Sequence, residues 1–372
     1  ARGPGSAHGP AAVNPFDTQL LAAAIVATNP ILVTALGELV AQRAGVIDIG
    51  LEGMMLAGAF WGFWCAWASR SLLLGVLGGV AAGALFGIVM AALAINARAE
   101  QIVVGLGLNI LAGGMTTFGN ATIFTSQVTI RPMTPFGVPM LDHLPIIGAA
   151  LFDQVPVDYV PLLLLPAIWY VLYRTNWGLV IRACGEAPEA VQTAGVRVAR
   201  VRWLATVFAG AMAGLGGTML SVGNLGLFTD QMTAGRGLIA LAAVIFGRWR
   251  PLPVLGACLI FGGTDALQLR LQPLPAIPRE VWLALLAIGL GLLICSLHRR
   301  RIAEVGPGRL AVATSILLAG VTLVIVAPRW SVPSEFWLML PYLITLIALA
   351  APSGGGRMPS ALGTPFPPTS GA

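Results

Sequence analysis

Acidic and amide side chains set inside long apolar runs are the first residues in this chain that could do chemistry. Glu52 stands at the start of one such run, and Asp265 lies within another, Gly262-Gly-Thr264-Asp265-Ala-Leu-Gln268. A carboxylate in that setting is costly to keep against hydrocarbon, so it faces protein or water. Asn109, Asn224, Thr264 and Gln268 add neutral donors and acceptors. Glu52, Asn109, Asn224, Asp265 and Gln268 are therefore candidates for the lining of a polar path through an apolar body. Asp48 and Glu52, four residues apart, can also form the lip of such a path. The competing reading gives these groups structural work: hydrogen bonds between helices, or an ion pair such as Glu52 with Arg43.

A second cluster lies between two apolar runs, in the basic stretch from Arg174 to Arg202. Pro188 suits a first helical position, Glu186 and Glu189 sit near the positive end of the helix dipole, and Gly195 supplies a stop. Ala187, Ala190, Val191 and Ala194 recur at helical spacing and make one face small and flat. Gly185, Glu186, Pro188, Ala190, Val191, Ala194 and Gly195 thus outline a short helix. Its form suits docking into a partner's groove, and it also suits an ordinary loop between membrane spans.

Several chemistries are excluded or unsupported. All 21 basic residues are arginine, which removes the lysine of a phosphate-binding P-loop and that of a Schiff base. Cys65, Cys184, Cys258 and Cys295 lie far apart, and His8, His143 and His298 are scattered, a distribution that predicts neither a disulfide nor a metal site. No paired His/Glu or Ser/Lys constellation occurs, so no enzyme and no cofactor is expected. The net charge of +6 needs no nucleic acid, because the arginines segregate by membrane side.

These residues must be held by membrane helices. Only 10% of the chain is charged and its mean hydropathy is +0.86, against about 25% charge in a soluble domain. The fold class is all-α, a polytopic membrane protein of about ten to eleven transmembrane or broken helices. Apolar runs fall near 19–40, 51–69, 72–95, 101–123, 157–173, 203–223, 237–247, 252–270, 281–297, 310–327 and 336–350. The run at 237–247 is too short to cross alone and follows a polar stretch, which predicts a broken helix. No basic segment directly precedes the first run, an arrangement that argues against a cleaved signal peptide. Placing residues 174–202 inside puts 14 arginines inside and 7 outside, the direction of the positive-inside rule. Gly75, Gly79, Gly83 and Gly87 recur every fourth residue and predict a close helix–helix seam. The stretch from Ile277 to Leu285 echoes that from Val332 to Leu340, with Pro, Glu and Trp at matching places.

Four motifs then carry a family resemblance. They run from Ala35 to Leu56 (with Gly37, Glu38, Arg43, Gly45, Asp48, Gly50, Glu52 and Gly53), from Gln101 to Leu111, from Gly185 to Gly195, and from Gly235 to Pro251. In this order they resemble the permease subunits of ATP-binding-cassette importers, in the branch of ribose, branched-chain amino-acid and nucleoside permeases. The tail from Pro341 to Thr345 and from Met358 to Pro365 is most similar to the second permease of nucleoside importers served by a basic-membrane-protein-type lipoprotein. The family pattern lacks the segment around 277–331.

The resemblance implies a transmembrane permease for nucleosides or related small polar solutes, with simple sugars as the alternative. It makes the helix at 185–195 the element that rests on a separate ATP-binding subunit. A second permease subunit, an extracytoplasmic solute-binding lipoprotein delivering to the loops near 124–156 and 224–236, and the bilayer of the cytoplasmic membrane complete the expected partners. The expected organisation is an irregular N-terminus at 1–18, a permease domain at 19–351 with an insertion near 277–331, and a cytoplasmic tail at 352–372. A competing class, an ion-coupled transporter working alone, has only Glu52 and Asp265 to offer as ion ligands.

Overall fold

The computed structural model describes residues 18–124, 128–137, 153–272, 339 and 358–364. The expected spans at 281–297, 310–327 and 336–350, the internal echo and the insertion lie outside the described residues.

Each apolar run inside the described residues forms a helix: α1 (Thr18–Arg43), α2 (Leu51–Ser69), α3 (Leu72–Ala91), α4 (Gln101–Ile123), α5 (Val160–Arg174), α8 (Val198–Thr218), α9 (Arg236–Phe246) and α10 (Pro251–Leu271). Two further helices, α6 (Asn176–Glu186) and α7 (Pro188–Thr193), lie in the basic stretch. Among the described residues, six helices are long and apolar enough to cross a membrane. Helix α3 runs on through a π-turn at Ala92–Asn96, and α8 through another at Met219–Leu225. Between α4 and α5, two short strands, β1 (Phe136–Gly137) and β2 (Asp153–Gln154), pair antiparallel.

The core is a bundle of α1, α2, α3 and α8, and small residues set its spacing. A Cβ on Gly83 would meet the backbone of Gly210 and Gly214, and one on Gly79 would run into the Thr218 hydroxyl. On the next pair, a Cβ on Gly75 would come within 3.0 Å of the Gly62 carbonyl oxygen. The glycine seam of α3 therefore works as its spacing predicts, letting two backbones touch where lipid offers no hydrophobic drive for association. Around this seam, Leu36, Leu39, Phe261 and Val244 fill one apolar cluster, and Met54, Met90 and Leu108 fill another.

Two stretches of irregular backbone enter the bundle. One is residues 44–50, between α1 and α2; the other is residues 226–235, leading to α9. Backbone of this kind survives at membrane depth only where protein satisfies its polar groups. The side chains that satisfy them make up the site described next.

Candidate functional site

On the arginine-rich side, the predicted short helix resolves into two. Thr175 caps α6 by accepting from the Gly178 N–H at 3.1 Å, and α6 ends at Glu186. Ala187, with φ −146° and ψ 74°, breaks the axis, and Pro188 starts α7. Gly195 ends the unit at φ +83°, a backbone position that favours glycine. The flat face is divided by packing. Val191 turns inward against Cys184, Val198 and Val201, whereas Glu186, Ala187, Glu189, Ala190 and Ala194 are exposed. Burial pushes the Cys184 thiol above its usual range, with nearby Arg202 acting in the opposite sense.

This small platform is tied to the bundle through backbone. Gly185 is buried against the Arg43 carbonyl, where a Cβ would collide, and its own carbonyl accepts from the Ala361 N–H at 2.9 Å. The Ser360 hydroxyl donates to the Glu186 carbonyl. Arg202 on α8 is 2% exposed and donates to the carbonyls of Ala44 at 3.2 Å, Thr364 at 2.7 Å and Ala361 at 3.4 Å. The Gly363 N–H closes the loop onto the Gly45 carbonyl at 3.1 Å. Residues 358–364 thus form a strap joining the end of α6, the end of α1 and the start of α8. Three backbone carbonyls here accept from a single guanidinium, whose fork of five N–H groups suits several acceptors at once.

The segment 44–50 continues inward from the strap. Gln101 Oε1 accepts from the Ile47 N–H at 2.8 Å, and Glu38 Oε1 accepts from the Asp48 N–H at 3.1 Å. Glu38 also accepts from Gln42 Nε2 at 2.8 Å, and Gln42 Oε1 from the Trp249 indole N–H at 2.6 Å. Asp48 is fully buried and accepts from the Gly50 N–H at 2.8 Å. Asn109 donates to the Ile49 carbonyl at 2.9 Å and accepts from the Gly53 N–H at 2.7 Å. Asn109 is eight residues into α4, about 12 Å along its axis at 1.5 Å per residue, so this brace sits well inside the membrane.

Beyond it, Glu52 holds the entry of α9. Its Oε1 accepts from Thr233 Oγ1 at 2.5 Å and the Gly235 N–H at 2.9 Å, and its Oε2 accepts from the Gly237 N–H at 2.7 Å. The carboxylate meets the positive end of the helix. At 11 residues, α9 is about 16 Å long, roughly half a bilayer core, and is the short helix expected from the run at 237–247. Gln231 and Ala234 precede it with φ of 57° and 46°, strain that the Glu52 anchor holds in place, and Gly235 takes φ 82°, which glycine adopts freely. Arg236 pairs with Asp265 on α10 at 2.7 Å.

The path candidates therefore separate. Asn109 anchors irregular backbone between α2 and α4, Glu52 anchors it between α2 and α9, and Asp265 on α10 pairs with the first residue of α9. The suggested ion pair of Glu52 with Arg43 is not made: Arg43 donates instead to the Trp249 carbonyl, at 2.6 and 2.9 Å. Likewise, fully buried Asp48 is a backbone acceptor rather than part of an open lip. Asn224 lies apart, at the end of the α8 extension, and its buried Nδ2 has no partner among the described residues. Gln268 is buried along α10, and Thr264 bonds back to its own helix at the Ile260 carbonyl, 2.6 Å away. The sequence motifs and the basic stretch contain Gln42, Gln101, Trp249 and Arg202 but gave none of them these contacts. The pair Glu38 and Gln42, one helical turn apart in an apolar run, was the available signal.

Residues 20–297 match the family model described as branched-chain amino acid transport system / permease component. The chain belongs to this family. It is a permease subunit, not an enzyme, and a multi-pass protein of the plasma membrane. A putative glucose ABC transporter permease protein of Haloferax volcanii is 41% identical over 261 residues, 70% of this chain and 79% of that protein. The guanosine ABC transporter permease protein NupQ of Bacillus subtilis is 31% identical over 357 residues, 93% of this chain and 96% of that one. A second guanosine permease protein of that bacterium, NupP, is 25% identical over 269 residues, 68% and 74% of the two chains. No solved structure matches.

Proposed function

We propose that this chain is one of two unlike permease subunits of an ATP-binding-cassette importer for nucleosides, worked by a separate ATPase that presses on α7. The observation that carries the substrate class is the likeness to NupQ, which extends over nearly the whole of both chains. The weaker likeness to NupP supports a pair in which this chain takes one of two distinct places. A solute-binding protein on the opposite face delivers the substrate. The glucose reading rests on the more identical but less extensive haloarchaeal relative.

The mechanism follows from the connections of the platform. Ala190 and Ala194 give a nucleotide-driven partner a small, flat contact, flanked by the exposed Arg197 and Arg200. Val191 carries the push into α8, and Gly185 carries it into the end of α1 and the strap. Residues 44–50 relay it to Glu52, and Glu52 to the half-helix α9, so that a displacement at the inner face tilts the re-entrant backbone at membrane depth. Packed elements pass on such a movement because they occupy discrete arrangements rather than bending continuously.

Two variants test the docking role. Gly195→Pro forces a φ near −65° where the chain holds +83°, and Glu186→Arg reverses an exposed charge beside α7. Both are expected to insert normally and to lose ATP-driven nucleoside uptake in the assembled importer. Uptake at the wild-type rate in both would remove α7 from the mechanism.

A further inference from the structure

On the face opposite the platform, a cleft of about 210 Å³ opens between the ends of α2 and α4 and the backbone leading to α9. Its walls differ in chemistry. Phe63, Phe124 and Phe228 supply aromatic surface, and Asn120, Thr129, Thr229 and Asp230 supply hydrogen-bonding groups. The rings are braced rather than free: Phe60, behind the cleft, sits edge-on to Phe228 at 5.2 Å and to Phe124 at 6.2 Å, and Phe63 meets Phe124 at 5.3 Å. Asn120 Nδ2 donates to Asp230 Oδ1 at 3.2 Å, which orients the exposed carboxylate at the rim. The Thr129–Leu227 bridge and the bond from the Ile130 N–H to the Gly226 carbonyl at 2.8 Å fix the two backbones that frame it.

We infer that this cleft is a reception site for the base of an incoming nucleoside. The inference rests on the nucleoside reading above and adds a place and a set of contacts to it. The volume is below the roughly 300–1,000 Å³ of pockets that enclose a drug-sized ligand, and it suits one flat ring rather than a whole solute. Phe63 and Phe228 are almost wholly buried, so the half-buried Phe124 is the ring that can meet a base, and an aromatic side chain accepts any base by its π-face. The Asn120 amide and the Asp230 carboxylate supply a donor and an acceptor that the edge of a flat heterocycle can use. The site is also placed to act. Thr229 and Asp230 line the cleft, and Thr233 and Gly235, a few residues on, bind Glu52. Filling the cleft therefore bears on the same strained backbone that α9 depends on, from the side opposite the ATPase.

The test uses the complete importer in proteoliposomes, with [3H]guanosine and [14C]glucose as alternative solutes and 8-azidoadenosine as a photoprobe. Thr229→Trp fills the cleft from an exposed position, and Asp230→Asn removes the rim charge without changing its shape. With wild-type importer moving guanosine, both variants are expected to assemble normally, to raise half-saturation about tenfold, the size of one lost charged hydrogen bond, and to lose photolabelling of the 227–230 peptide. Guanosine uptake with unchanged half-saturation and labelling in both variants would overturn the cleft while leaving the nucleoside reading intact. Glucose uptake with no guanosine uptake in the wild type would overturn both.

Discussion

Replacing Glu52 by alanine should free the re-entrant helix. The carboxylate takes three donors, Thr233 Oγ1, the Gly235 N–H and the Gly237 N–H, at 2.5, 2.9 and 2.7 Å. A hydrogen bond to a charged group contributes about 1.5–3 kcal/mol, and a carboxylate at a partly buried helix N-terminus up to about 2 kcal/mol. Because all act through one group, these contributions do not sum, and about 3–5 kcal/mol is the expected loss of local stability. That corresponds to hydrogen exchange of the Gly235 and Gly237 amides faster by about two to four orders of magnitude. Glu52→Gln keeps one acceptor oxygen and should fall between, near tenfold. Mass-spectrometric exchange on the solubilised importer reads both amides within the peptide that spans 231–240. Wild-type exchange in the alanine variant would refute the claim that Glu52 anchors α9.

Three further outcomes follow from the packing. Gly83→Leu should prevent α3 from seating on α8, because even a Cβ there meets the Gly214 Cα at 2.6 Å; overpacking costs about 1–3 kcal/mol or more, and the variant should lose its folded yield in detergent. Arg202→Met removes one donor from each of three carbonyls and should loosen the strap, read as faster proteolysis beyond residue 357 with α-helix content unchanged. Cys184, fully buried and with its thiol pushed up by burial, should resist maleimide at neutral pH, and more strongly in Arg202→Met, where the charge opposing that shift is gone.

Much of this architecture is legible in the amino-acid order. Glycines every four residues announce the α3 seam, and the short polar-flanked run at 237–247 announces a broken helix, because both patterns are local. The anchors are not local. Glu52 reads as a costly acid at the head of an apolar run, and its partners lie at 233–237, beyond the six described helices α3 to α8, so no spacing could distinguish a path residue from a cap. The basic stretch hid a second helix for a different reason: its Thr175 cap and the run Trp177-Gly-Leu-Val-Ile are short, and the Pro188 start drew the reading to the later turn. Val191 belonged by periodicity to an exposed flat face, but packing on Cys184 and Val198 outweighed the pattern. The strap at 358–364 carries backbone contacts that any small residues could make, which leaves little trace in side-chain chemistry.

The central claim is that α7 receives the work of an ATPase and passes it to α9. A photo-cross-linking residue in place of Ala190, in membranes of cells expressing the intact importer, tests it most directly. The account predicts a single covalent adduct with the nucleotide-hydrolysing subunit, whose yield changes when that subunit is trapped with ADP and vanadate. Absence of that adduct at Ala190, with the same label capturing the subunit from elsewhere on the inner face, would contradict it.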